Sequence, residues 1–342
     1  MKPVTILVTM LIFAVPLTSS FGDYVVENQS MSMTKNAKAN SHTESSTYPA
    51  THVDMKLKKI SEHVYYVQGK AGIATDNEGF ISNAGVIITD QGVVLFDALG
   101  TPSLGNLLLQ KIREITDKPI VKVVVSHYHA DHFYGLQVFK DLGAQVIAPR
   151  GADQYLQSDM AKNRLAERKK SLSPWVNNDT RLITPDTYVD SETEFTLGKI
   201  TFKITPEGKS HSHGDMIMHV SPDNVLFVGD LVYEQRIPFV VTGNSTHWLN
   251  ALYSMNFNNV NVLVPGHGAA STHPVQALSA TKNYLEFLVN TMKKAVEEMI
   301  PFDEAYNVDW SRYQNLPAFE GANRKNAYSV YLSLEADSVG SK

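Results

Sequence analysis

The sequence contains no cysteine. That excludes disulfides, thiolate metal ligands and a lipid-modified N-terminal cysteine. Positive charge is not in excess either: 30 Lys and Arg stand against 35 Asp and Glu, for a formal net charge of −5, which argues against a general nucleic-acid binder. Long apolar runs are missing after the first segment, so nothing later in the chain supplies the roughly 20 apolar residues of a spanning helix. There is no internal repeat.

What is present begins with a secretory pattern. Lys2 supplies the positive end, residues 4–17 an apolar run, and Ser20-Phe21-Gly22 small residues around a cleavage point after Gly22. The pattern predicts a signal peptide over 1–22 and a periplasmic or secreted protein, without stable membrane insertion after cleavage. Residues 23–54 are rich in Ser, Thr, Asn and Lys and poor in apolar residues, and read as a flexible linker.

From Leu57 the pattern becomes short strands: Val64 to Val67, Ala84 to Ile88 and Val93 to Phe96, the last ending at Asp97. Thr101-Pro102 opens a helix with Leu104, Leu107, Leu108, Ile112 and Ile115 on one face. A strand over Val121 to Val125, a helix over Gln137 to Asp141 and a strand over Ala144 to Ala148 complete a β-α-β alternation, so the class is α/β. Ala152 to Ser171 reads as one charged helix whose Arg164, Arg168, Lys169 and Lys170 form a solvated face. A long helix follows Ser271-Thr272, with Val275, Leu278, Leu285, Leu288, Met292, Val296 and Met299 facing the sheet. The last segment, 301–342, is aromatic and is expected to pack on the core of a domain spanning 55–300.

The chemistry concentrates in His127-Tyr128-His129-Ala130-Asp131-His132, directly after a β-branched strand. In extended backbone, His127, His129 and Asp131 face one way and His132 the other. Carboxyl ends of strands are where open α/β sheets place their ligands. Imidazole with carboxylate suits zinc, iron or manganese. Three more candidates end strand-like runs: His211, Asp230 after Gly229, and His267 in Pro265-Gly266-His267-Gly268. Five histidines and two aspartates suffice for two metals.

This order of motifs resembles the metallo-β-lactamase superfamily, over about Leu57 to Met292. The resemblance implies an αββα four-layer sandwich and a dinuclear-metal hydrolase, with two divalent ions, zinc first among them, and a bridging hydroxide as nucleophile; two such ions less the charges of Asp131, Asp230 and a hydroxide leave a net positive site, which favours a small, anionic substrate. It implies His127, His129 and His211 on the first metal, Asp131, His132 and His267 on the second, and Asp230 between them. Asp131 would also orient the nucleophile, and Asp97 would orient a ligand. The segments Pro301 to Tyr306, Asp309 to Arg312 and Asn323 to Tyr328 resemble the end of an exported branch associated with sulfur-oxidation or quinoprotein systems. Departures are Asp230 where the best-known zinc β-lactamases carry cysteine, and Tyr233 where many carry lysine. Two alternatives share the fold: an iron-dependent oxidoreductase of the persulfide-dioxygenase type, and a non-catalytic metal-binding protein. His129 speaks against a di-iron centre of the type that places glutamate there. Lys209 and Arg236 lie near the motif loops, as candidates to assist an anion.

Overall fold

Apolar runs that alternate between two covered faces build this molecule. The structure, a computed structural model, describes residues 47–340; the expected signal segment and most of the expected linker lie outside the described residues. The strands are β1 (Leu57–Lys59), β2 (Val64–Val67), β3 (Ala84–Ile88), β4 (Val93–Phe96), β5 (Ile120–Val124), β6 (Gln145–Pro149), β7 (Thr187–Val189), β8 (Thr193–Leu197), β9 (Ile200–Gly208), β10 (Asp215–Ser221), β11 (Val225–Tyr233) and β12 (Val262–His267). The helices are α1 (Pro102–Arg113), α2 (Ala130–Phe133), α3 (Leu136–Asp141), α4 (Gly151–Gln157), α5 (Asp159–Ser171), α6 (Ser245–Ser254), α7 (Pro274–Glu297), α8 (Phe302–Ala305) and α9 (Phe319–Gly340).

One sheet orders its strands β1 to β7 and the other β12-β11-β10-β9-β8. Both are mixed: β4 runs parallel to β5, and β11 parallel to β12, beside antiparallel partners. Strand periodicity explains the layers. Val93 and Leu95 of β4 pack outward with Leu104, Leu108 and Ile112 of α1. Val94 and Phe96, one step out of phase, pack inward with Phe227 and Val264 of the other sheet. In β11 and β12, Leu226, Val228 and Leu263 face α7 instead. Three apolar cores between four layers make the αββα sandwich. Each fully buried Val, Leu or Phe here contributes roughly 1.5–3 kcal/mol.

Local signals set the ends. Thr101 caps α1 by accepting from Leu104 N–H, and the helix stops at Arg113, which leaves Ile115 exposed rather than on the buried face. The expected single helix over 152–171 breaks at Ser158, which turns extended and caps α5 through Ala161 N–H. Along α7, Leu278, Leu285, Leu288 and Met292 are buried as expected, whereas Val275 and Met299 are exposed. Val275 precedes the packed turns, and Met299 follows the helix in a left-handed turn (φ 57°). Trp310, Tyr313, Ala327 and Val330 of the last segment join the same core as α7.

Across the sandwich, Asp223 in the β10–β11 turn accepts from Ser61 Oγ, His63 N–H and the His63 ring in the β1–β2 turn. Burial disfavours its charge, but these donors outweigh burial and hold the carboxyl below the usual range. A depressed folded pKa adds stability above the unfolded value of about 3.9 and loses it as pH falls through the folded value. Asp223→Asn should therefore cost about 1–3 kcal/mol at pH 7, with the difference shrinking towards pH 3 in chemical denaturation. An equal loss at both pH values would show that the charge is irrelevant.

Candidate metal centre

The end of β5 shapes the first half of the centre. Extended backbone persists to His129, which is the residue before α2 (φ −89°, ψ 145°), and Asp131 and His132 already belong to that helix. The expected alternation therefore stops at His129. The change of backbone sends His127 and His129 to one group and Asp131 and His132 to another. The first group is His127, His129, His211 and Asp230; the second is Asp131, His132 and His267; within each, one donor atom per residue lies within 4.8 Å of the others.

The rest arrives from the opposite sheet. His211 sits in the loop after β9, which runs to Gly208. Asp215 shapes that loop, accepting from Ser210 N–H (3.2 Å), Ser212 N–H (2.8 Å) and Ser212 Oγ (2.9 Å), and burial pushes its carboxyl up to about 7. Asp230 does not close β11. It lies within the strand, after a register shift between Phe227 and Gly229. Gly229 takes the left-handed φ of 51°, and a Cβ there would lie 2.6 Å from Ser126 Cβ. His267 ends β12, beside Tyr233 in register.

Hydrogen bonds dictate which nitrogen four of the five imidazoles present; His211 Nδ1 has no partner. Asp97 accepts from Ser126 N–H (2.7 Å), Ser126 Oγ (2.8 Å) and His132 Nδ1 (2.8 Å). Ser126 Oγ, having given its proton to Asp97, accepts from His127 Nδ1 (2.9 Å). One carboxylate thus holds two imidazoles, one directly and one through a serine, with their Nε2 atoms inward. Asp97 does so from a left-handed backbone (φ 64°). Thr242 Oγ1 donates to the His211 carbonyl (3.2 Å) and accepts from His129 Nε2 (3.0 Å), which bares His129 Nδ1. His267 Nδ1 donates to the Ile81 carbonyl (2.7 Å), which bares its Nε2.

These bare atoms converge. His129 Nδ1 is 3.0 Å from His127 Nε2 and 2.8 Å from His211 Nε2. Asp230 Oδ2 is 3.3 Å from His211 Nε2 and 3.8 Å from His127 Nε2. Its Oδ1 is 3.1 Å from His132 Nε2 and 3.3 Å from His267 Nε2. Asp131 Oδ2 is 3.5 and 3.3 Å from the same two nitrogens. A tetrahedral ion with bonds near 2.0–2.1 Å separates its ligands by about 3.3–3.4 Å. His132 Nε2 and Asp230 Oδ1, despite their proximity, make no hydrogen bond and are buried. Orphaned buried polar atoms are costly unless something satisfies them, and the donor set fits two divalent cations.

The electrostatics agree. Burial holds His127 well below its ordinary value, His129 at about 3 and His211 at about 4, so all three are neutral donors. Burial also opposes charge on His132 and His267, but neighbouring carboxylates outweigh it and raise both. Asp131 and Asp230 lie below the carboxylate range because nearby histidines overcome their desolvation. A site that draws protons onto two imidazoles through its carboxylates offers the same attraction to a metal cation.

Tyr233, marked in the sequence only as a departure from the lysine of many zinc β-lactamases, stands out among residues not read as part of the centre. Its hydroxyl donates to Asp230 Oδ2, and its ring stacks on His267 at 5.1 Å and 5°. Ser126 and Thr242 were equally unmarked; the sole hint is that Ser126 immediately precedes His127. Among nearby aromatic residues, Tyr128 lines the cavity, while Phe133, Tyr134 and Trp248 are buried core.

The centre opens into a cavity of about 550 Å³. Arg164, Arg168, Arg236 and Lys325 line it; its only lining carboxylates are Asp131 and Asp230. Arg164 and Arg168 thus differ from the solvated face expected of them: both line the cavity from α5. Arg236 lies 3.3 Å (Nη1) from His267 Nδ1, its Nε has no partner, and no carboxylate pairs with it among the described residues. Lys209 does not line the cavity.

The profile of the Metallo-beta-lactamase superfamily matches residues 77–267. A metallo-beta-lactamase type 2 from Elizabethkingia meningoseptica is 22% identical over 220 residues, 63% of this chain and 79% of that one. A solved metallo-beta-lactamase from Pontibacter korlensis superposes with a TM-score of 0.54 at 20% identity, covering 68% of this chain and 99% of its own. The inverting sec-alkylsulfatase Pisa1 from Pseudomonas sp. superposes at 0.66 and 19% identity, over 82% of this chain and 50% of its own.

Proposed function

The chain belongs to the metallo-beta-lactamase superfamily, and from that premise we propose that it is a dinuclear metal hydrolase, zinc-dependent, acting on a small anionic substrate. The observation that carries this reading is one carboxylate, Asp230, turning its two oxygens to two separate donor groups at the floor of a cavity rimmed by cations. His127, His129, His211 and Asp230 would hold one metal, and Asp131, His132, His267 and Asp230 the other. Bound there, the metals would supply an acidified water and polarise the bond under attack. The protein's own residues do the positioning. Asp97 fixes two imidazoles, Tyr233 orients Asp230, and Asp131, the more exposed carboxylate of the pair, can accept a proton from a nucleophile beside it. Arg236 would steady an anionic group next to His267.

The domain would span 55–300 with 301–342 as an extension, behind a cleaved signal over 1–22 and a linker over 23–54, in a periplasmic or secreted protein. The tail motifs favour the exported branch named above.

Metal analysis of the purified protein should find about two divalent ions per chain. A panel of β-lactam, lactone, thioester, phosphodiester and sulfate-ester substrates should then reveal at least one turnover that a chelator abolishes and zinc restores. A single iron with oxygen uptake on a persulfide would replace this reading by the oxidoreductase.

A further inference from the structure

The cavity is far larger than a scissile group needs. Volumes of about 300–1,000 Å³ hold whole drug-sized ligands, and this one is about 550 Å³. Part of its wall comes from α9, which lies outside the segment matched by the family profile. That wall is held rigidly. Asn326, fully buried, donates to the Pro238 carbonyl (2.7 Å) and Tyr284 Oη (3.0 Å) and accepts from Val240 N–H (3.1 Å). Asn323, also fully buried, accepts from Tyr284 Oη (2.8 Å) and donates to Tyr306 Oη (3.0 Å). Through these bonds α9 is tied both to α7 and to the loop that carries Arg236 and Phe239.

Lys325 projects from this pinned helix into the cavity lining. Of the other rim cations, two are paired with a carboxylate and the third stands beside the metal centre itself. Arg164 and Arg168 share Glu167, at 3.1 and 3.7 Å, and Arg236 lies against His267 and over the Tyr233 ring. Lys325 pairs with no carboxylate among the described residues, although its neighbour Arg324 pairs with Asp303. Apolar Ile73, Ile81, Met160 and Phe239 line the same cavity. We propose that Lys325 is a specificity-determining residue, which binds a second anionic group of an elongated substrate, remote from the bond that breaks and joined to it by an apolar body. This rests on the dinuclear reading above and adds the substrate's shape and its second charge.

The test uses the metal-loaded full chain and calorimetric binding, so that it does not depend on finding the substrate. The probes are ω-mercaptoalkanoates with two to seven methylenes, each compared with the mercapto-alcohol of equal length. The thiol engages the metals and the far end reports on the wall. Long carboxylates should bind at least about tenfold more tightly than their alcohols. Lys325→Glu should abolish that preference and Lys325→Arg should keep it, with the shortest pair unaffected in both. Gly321 lines the same wall, and a Cβ there meets nothing within 4 Å. Gly321→Leu should therefore fold with an undiminished melting temperature, bind the shortest thiols normally and weaken the longest about tenfold. A long-chain preference that is absent, or unchanged in Lys325→Glu, overturns the assignment, as does Gly321→Leu binding long probes normally. If the metal-loaded protein binds no thiol of any length, the dinuclear reading falls and this assignment with it.

Discussion

Replacing Asp230 by asparagine should leave the fold intact and reduce metal content from two per chain towards one. The side chain keeps its shape but no longer offers two anionic oxygens, and in the wild type those oxygens face different donor groups, Oδ2 towards His211 and Oδ1 towards His132 and His267. Loss of a supporting partner alone typically costs 10- to 100-fold in metal affinity or activity, so loss of a shared ligand should lower hydrolysis by at least about 100-fold. Ligand binding to the folded state raises stability by mass action, so the rise in melting temperature on adding zinc, measured from each protein's own metal-free curve, should shrink. His127→Ala should weaken the first group and His267→Ala the second, which gives two distinguishable metal titrations. An Asp230→Asn protein with two tightly held metals and full turnover would make Asp230 a structural residue and leave the dinuclear mechanism without its bridge.

Much of this was legible before any coordinates. The runs Val64 to Val67, Ala84 to Ile88 and Val93 to Phe96 are the strands β2, β3 and β4, because β-branched residues bounded by turn formers encode a local preference. The histidine-rich turn was legible for the same reason: its donors are neighbours in sequence. What was hidden depends on contacts between distant segments. Ser126 matters because Asp97, 29 residues away, takes its proton. Thr242 matters because it meets His129 across 113 residues. Arg164 reads as part of a solvated face and Lys325 falls in a segment marked only for its resemblance to the exported branch, and only the tertiary placement of α5 and α9 brings them to one cavity. The bulge at Gly229 was hidden differently. Val225 to Tyr233 is buried throughout, so hydrophobicity cannot show where Asp230 leaves the regular pleat.

That bulge leads to a second large effect, at a residue with no side chain. A Cβ on Gly266 would lie 2.0 Å from Asp230 Oδ1 and 2.7 Å from Gly229 C, closer than any real contact allows, so Gly266→Ala forces a displacement. β12 cannot simply retreat. The buried Asn83, from the other sheet, donates through its side chain to the Pro265 (2.7 Å) and Gly268 (2.9 Å) carbonyls, and through its backbone to Gly266 (2.8 Å). The carboxylate must therefore move, and His267, the next residue, with it. Overpacking of this kind costs about 1–3 kcal/mol, and at roughly 2–4 °C per kcal/mol for a domain of this size the metal-free melting temperature should fall by about 2–12 °C. Metal binding should fail at both groups, since the displaced carboxylate serves both. The contrast with Asp230→Asn is diagnostic: one variant keeps the geometry and loses the charge, the other keeps the charge and loses the geometry. Chelator-treated melting curves isolate the strain, and metal titrations isolate the site. If Gly266→Ala melts like wild type and takes up two metals with unchanged affinity, the close approach of β12 to Asp230 is not what positions the bridge.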